Sequence, residues 1–216
     1  MNQAVEEYFL KGHGETATVA VAGGAKSQQA FDRYKDSKTG KIEMDGIIQF
    51  FNDLGVNGET DAISMYFPYK MNAASMGEFT AAEFKQGFTA MGVSTVDELK
   101  RKLPQLYQEL KNPEDFKKMY KFVFDFARDK TFKNLQVEMA FDLWELLIGA
   151  KARFLKDWVQ FLQAEKTDQK VVTKDTWNML LELVEQTRGD LANFVDDGTW
   201  PPLIDQFVEY HTRKYA

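Results

Sequence analysis

The chain has 216 residues, 44% hydrophobic and 28% charged, with a formal net charge of −6. It contains no Cys and two His, which rules out disulfides, thiolate metal sites and thioester intermediates, and leaves little material for imidazole-based catalysis. No apolar run approaches the ~20 residues that span a bilayer, and no charged start precedes an apolar stretch, so neither a membrane span nor a signal peptide is expected; the expected location is cytoplasm and nucleus.

Residues 1–10 (MNQAVEEYFL) read as a short helix. Residues 11–27, rich in Gly, Ala and Thr, read as a flexible linker. From Gln28 onward the apolar spacing is helical almost throughout, so the fold is expected to be all-α. Thr95 and Glu98 form a capping box opening a helix that Pro104 is expected to interrupt or end. A second helix break is expected at Pro68. Asn112-Pro113 places a cap and a first-turn proline before DFKKMYKFVFDFA, whose apolar stripe is Phe116, Met119, Tyr120, Val123 and Ala127. Further stripes are Phe154, Leu155, Trp158, Phe161 and Leu162, and then Trp177, Leu180, Leu181 and Val184. No segment alternates strictly enough for a strand, although two-residue pairings inside loops are allowed.

Two loops have EF-hand spacing without EF-hand ligands. In 35–46 (KDSKTGKIEMDG), Gly40 and Ile42 take loop positions six and eight, but Lys35 and Gly46 stand at one and twelve. In 72–83 (NAASMGEFTAAE), Gly77, Phe79 and Glu83 fit positions six, eight and twelve, while Asn72, Ala74 and Met76 stand at one, three and five. A third stretch, 165–176, has Lys170 at the turn position and Thr176 at position twelve. Calcium needs about six to eight oxygens, so degenerate, metal-free EF-hand-like helix–loop–helix motifs are expected, with no cofactor.

Charge is unevenly placed. Residues 175–209 carry eight acids and one base (Arg188), a net of −7, which leaves +1 for the rest of the chain. A localised acidic face fits a basic protein partner and not nucleic acid, or is an ordinary solvated face.

FDRYKD (31–36), MDGIIQFFNDL (44–54), AASMGEFTAAEF (73–84), MYKFVFDFA (119–127), VEMAFDLWELL (137–147), KDTWNMLLEL (174–183) and TWPPLIDQFVEY (199–210) follow one another in order. Together they resemble the potentiating-neddylation (PONY) domain of the defective-in-cullin-neddylation family over residues 28–212. The family often carries a ubiquitin-associated domain before it. Residues 2–9 resemble only the last helix of such a domain, so no ubiquitin binding is expected there.

The resemblance implies a monomeric, non-catalytic scaffold. It would hold a cullin C-terminal region and the N-terminally acetylated neddylation conjugating enzyme, promoting transfer of the ubiquitin-like modifier to a cullin lysine and so activating cullin-RING ubiquitin ligases. By motif, the cullin-binding residues are Asp175, Thr199 and Asp205, with Thr199 where the family has Ala. The implied acetyl-Met pocket is Met44, Ile47, Phe50, Met71, Phe79, Phe126, Leu135, Leu143 and Leu146. The same residues have ordinary readings: acids in a first helical turn complement the macrodipole, and apolar residues at helical spacing form core. The alternative function is an EF-hand-like adaptor or calcium-sensor-type protein without a role in neddylation. A hydrolase or transferase is disfavoured, because nothing resembles a nucleophile–base pair.

Overall fold

The computed structural model describes residues 24–165 and 171–215. The expected helix over 1–10, the linker up to residue 23 and residues 166–170 of the third loop lie outside them. The described residues are mostly helical, as the apolar spacing requires. They divide into two compact units, one ending at Met119 and one beginning at Tyr120. The division falls within one helix.

The first unit opens with α1, helical over 24–34, so the helix includes the last residues of the expected linker. It is followed by α2 (Met44–Leu54), α3 (Ile63–Met71), α4 (Ala81–Ala90), α5 (Val96–Lys111) and the start of α6 (Pro113–Ala127). In α2, Ile47, Phe50, Phe51 and Leu54 are buried at the three- and four-residue spacing of one helical face. Phe50 sits in an aromatic core, 5.9 Å from Phe67 and 5.5 Å from Phe84, and Phe84 stacks on Phe88 at 4.3 Å. The C-terminal end of α1 is tied to α2 by Tyr34, whose hydroxyl donates to Asp53 at 2.8 Å, and by the Arg33–Asp53 ion pair at 2.7 Å.

The two expected proline breaks do not occur. Helix α3 runs through Pro68, and α5 runs through Pro104. An interior proline costs ~3 kcal/mol of helix stability. Seven of the nine α3 residues are buried, and Leu99, Leu106 and Leu110 are buried along α5. Burying one such side chain contributes about 1.5–3 kcal/mol, so packing outweighs the lost backbone hydrogen bond.

The loops before α2 and before α4 join through one antiparallel bridge between Ile42 and Phe79, with reciprocal N–H···O bonds of 2.9 and 2.8 Å. In the second loop the Glu83 carboxylate is fully occupied. It accepts from the Ala74 N–H, the Thr80 N–H and the Thr80 hydroxyl, each at 2.7 Å, and closes a capping box on α4. In the first loop, a Cβ on Gly46 would lie 2.1 Å from the Tyr34 carbonyl oxygen, so no side chain fits there without a backbone shift.

The second unit contains the rest of α6, β1 (Leu135–Gln136), α7 (Val137–Ile148), α8 (Leu155–Glu165), β2 (Val171–Val172), α9 (Lys174–Thr187), a 3₁₀ turn (Leu191–Asn193) and α10 (Pro202–Tyr215). Strands β1 and β2 pair antiparallel, Leu135 with Val172 and Gln136 with Val171. The core is built on Tyr120, Trp144, Trp158 and Trp177, all fully buried. Tyr120 stacks on Trp177 at 4.6 Å, and Trp144 on Trp177 at 5.5 Å. The polar atoms of three of these rings are satisfied within the stack. The Tyr120 hydroxyl donates to the Trp177 carbonyl at 2.9 Å and accepts from Trp144 Nε1 at 2.8 Å; Trp177 Nε1 donates to the Tyr120 carbonyl at 3.0 Å. Burial pushes the Tyr120 hydroxyl well above the ordinary phenol range, so it stays a neutral donor. This stack fixes α9 against α6.

Candidate cullin-binding face and apolar residues

Helix α9 begins at a Thr173 cap whose hydroxyl accepts from the Thr176 N–H at 3.1 Å. Two residues stand in the first turn before the buried Thr176 and Trp177. Lys174 turns to Asp125, with Nζ 2.5 Å from Oδ2, and Arg128 also reaches Asp125 at 3.3 Å. Desolvation would raise the Asp125 carboxyl, but these two cations outweigh it and hold it below the ordinary range. A carboxyl lowered on folding contributes stability above its unfolded pKa, about 3.9, and loses it as pH falls through the lower folded value. Lys174 is therefore neutralised locally, and the neighbouring Asp175 projects exposed charge. Among the described residues no side chain pairs with Asp175 or Asp205.

After α9 the chain turns at Arg188 and Gly189, and Asp190 pairs with Arg153 at 2.8 Å. The loop over 194–200 is tied by its own acids. The Asp196 carboxylate accepts from the Gly198 N–H at 3.0 Å, and the Asp197 carboxylate accepts from the Thr199 N–H at 3.0 Å and the Thr199 hydroxyl at 2.6 Å. Those bonds hold the Asp197 carboxyl below its ordinary range. Thr199 is exposed, and its hydroxyl is committed to Asp197. Trp200 is half-buried: its ring packs on Phe194 at 5.7 Å, and Nε1 donates to the Val195 carbonyl at 3.2 Å.

Helix α10 starts at Pro202, where a missing N–H costs nothing. Ile204 and Phe207 are fully buried, and Phe207 packs against Phe154, Trp158 and Phe161 at 5.7, 5.1 and 5.6 Å. Asp205, one residue beyond Ile204, lies about 100° round the helix and is partly exposed. The three residues expected to bind cullin thus stand at the first turn of α9, in the loop before α10, and at the first turn of α10.

The residues expected for the acetyl-Met pocket are differently placed. In the first unit Met44 is 53% exposed, and its Cε is the nearest neighbour of Gly77, at 3.7 Å from an ideal Cβ. Ile47, Phe50, Met71 and Phe79 are buried. In the second unit Phe126, Leu135 and Leu143 are buried and Leu146 is half-buried. A cleft of about 430 Å³ in the first unit is lined by Ile48, Phe51, Asn52, Val56 and Glu59, with Gly55, Asn57 and Gly58, and includes none of the expected residues.

Sequence reading missed one cluster. Asp157, 7% exposed, accepts from Lys214 and Tyr215 and lies against His211. Its apolar neighbours Leu155, Trp158 and Phe161 carry the helical pattern, and nothing in that pattern singles out the acid among them.

A family model described as "Cullin binding" matches residues 98–210, which include all three residues of the candidate face. The chain is 34% identical over 175 residues to DCN1-like protein 5 of Bos taurus, covering 81% of this chain and 73% of that one. It is 33% identical over 190 residues to DCN1-like protein 3 of Homo sapiens and of Xenopus tropicalis, covering 87% of this chain and 62% of theirs. With the family model matched over more than half its length, the chain belongs to the cullin-binding (PONY) family of DCN1-like proteins.

Proposed function

We propose that the protein is a non-catalytic co-ligase of cullin neddylation. Its acidic face, Asp175, Thr199 and Asp205, docks a basic surface of a cullin C-terminal region. The acetylated N-terminal Met of the neddylation conjugating enzyme is taken by the apolar residues that the family resemblance assigns, of which Met44 offers the most exposed surface. The chain has no Cys and cannot carry the modifier as a thioester. It acts by restricting orientation, which can contribute several kcal/mol of a transfer barrier. Cullin-RING ubiquitin ligases are activated as the result.

The observation that carries this reading is the family match over 98–210, within which two unpaired acids open two helices. Family membership favours it over a calcium-sensor role. The loop contacts support a degenerate EF-hand-like pair: the Ile42–Phe79 bridge joins loop position eight to position eight, and Glu83 is bound to backbone N–H groups. The test is discharge of the modifier from charged conjugating enzyme onto a cullin C-terminal fragment. Addition of the protein should accelerate it several-fold without the protein becoming modified as an intermediate. An unchanged rate would refute the proposal.

A further inference from the structure

The first half of α10 is held by apolar burial, since both of its buried residues, Ile204 and Phe207, lie there. The second half has a polar attachment instead. His211 and Lys214 continue the spacing of Ile204 and Phe207 along the same face. Both meet Asp157 of α8, whose side chain is 10% exposed. Lys214 Nζ donates to Oδ1 at 2.7 Å, the Tyr215 hydroxyl donates to Oδ2 at 3.0 Å, and His211 Nε2 lies 3.3 Å from Oδ2. Lys214 also donates to Gln160 Oε1 at 2.6 Å. The His211 ring lies between those of Phe207 and Tyr215, at 6.2 and 4.8 Å. One nearly buried carboxylate therefore gathers two donors and a neighbouring imidazole from the last turns of α10, and both of its oxygens are used.

A helix held by Ile204, Phe207 and the Tyr210 ring, 5.5 Å from Phe161, could still lift at its far end. A second attachment removes that freedom and sets the direction in which Asp205 points, although Lys214 stands nine residues, or about 13 Å, further along. We propose that Asp157, acting through Lys214, His211 and Tyr215, is a positioning residue for cullin docking: it fixes the rotation of α10 and so the aim of Asp205. This rests on the reading of Asp205 as a cullin contact. It assigns the proposed interface a control point that touches no partner.

The test measures affinity for a cullin C-terminal fragment together with amide exchange along α10. Lys214→Met changes a partly exposed residue and leaves the core intact; Asp157→Asn removes the charge at constant size. Both should weaken cullin binding roughly tenfold and speed exchange over the last turns of α10, while Lys214→Arg keeps wild-type affinity and protection. The double variant should lose no more than either single one, because the residues act through one contact. If Asp157→Asn does not fold, Lys214→Met against Lys214→Arg decides. Faster exchange with wild-type affinity in Lys214→Met would overturn the proposal and leave the cluster a structural tie. Cullin binding that ignores Asp205→Arg would instead overturn the docking reading on which it rests.

Discussion

At the scale of single residues, the acidic face and the aromatic core respond to opposite chemistry. Asp205 is partly exposed, unpaired and in a first helical turn, so its fold contribution is the macrodipole interaction of about 0.3–1 kcal/mol. On the proposed docking reading its contribution to cullin binding should be far larger. Asp205→Arg places like charges across the interface and should abolish cullin binding, while shifting the melting temperature by no more than a few degrees. Wild-type affinity in both Asp205→Arg and Asp175→Ala would reduce the two acids to helix-start residues. Tyr120 shows the reverse pattern. Tyr120→Phe removes one hydroxyl that serves two buried groups, the Trp144 indole N–H and the Trp177 carbonyl. The Trp177 carbonyl keeps its place in the α9 ladder, but the buried Trp144 N–H is left unpaired, at about 1–3 kcal/mol. Denaturant unfolding should therefore show a loss of about 1–3 kcal/mol, and a loss below about 0.5 kcal/mol would mean that the stack relaxes to re-satisfy the indole.

At the scale of elements, capping was legible and proline was not. Thr95 caps α5 by accepting from the Glu98 N–H at 3.1 Å, but the expected box does not close, because the Glu98 carboxylate accepts from the Ser94 N–H at 2.7 Å; Asn112 caps α6, its Oδ1 accepting from the Glu114 and Asp115 N–H groups at 3.0 and 3.2 Å. Cap chemistry is local, so a short window contains it. Whether Pro68 breaks α3 depends on the burial of its neighbours, which no local window contains. Short pairings inside loops were allowed by the sequence, but their partners were not: the Ile42–Phe79 bridge and the Leu135–Val172 pairing each join loops distant in sequence, with too few residues to alternate. Glu83 was legible as a loop position, but its occupation by three protein donors was not. That occupation makes a prediction. Glu83→Ala removes the capping box and leaves the Ala74 N–H without its acceptor, so it should destabilise the first unit by about 1–3 kcal/mol. Millimolar calcium should neither raise the wild-type melting temperature nor alter the variant's. A calcium-dependent rise in the wild type would show that the loop still binds metal.

At the scale of the whole molecule, the spaced motifs from FDRYKD to TWPPLIDQFVEY were enough to place the chain in its family. The two-unit organisation does not follow from those motifs, whereas the core burial of Phe50, Met71 and Leu143 is the ordinary reading of apolar residues at helical spacing. The −7 balance of residues 175–209 was legible as composition, and the structure shows how much of it is spent internally. Asp190 is paired with Arg153, and the Asp196 and Asp197 carboxylates accept hydrogen bonds that neutralise nothing. Lys174, the cation beside Asp175, is drawn to Asp125. The segment therefore keeps most of its negative charge, although the chain as a whole carries only −6. Such a concentration of one sign acts on a basic partner before contact, and its reach is set by the Debye length, roughly 10 Å at 0.1 M salt and 3 Å at 1 M. Salt should therefore act mainly on the rate of encounter. Between about 0.05 and 0.5 M salt, the association rate with a cullin C-terminal fragment should fall on the order of tenfold or more, with the dissociation rate changing much less. In Asp205→Asn the same titration should begin from a lower association rate and run less steeply, because one unit of the steering charge is gone. If salt acted instead through the dissociation rate alone, the acids would be working as buried contacts, and long-range steering would have no part in docking.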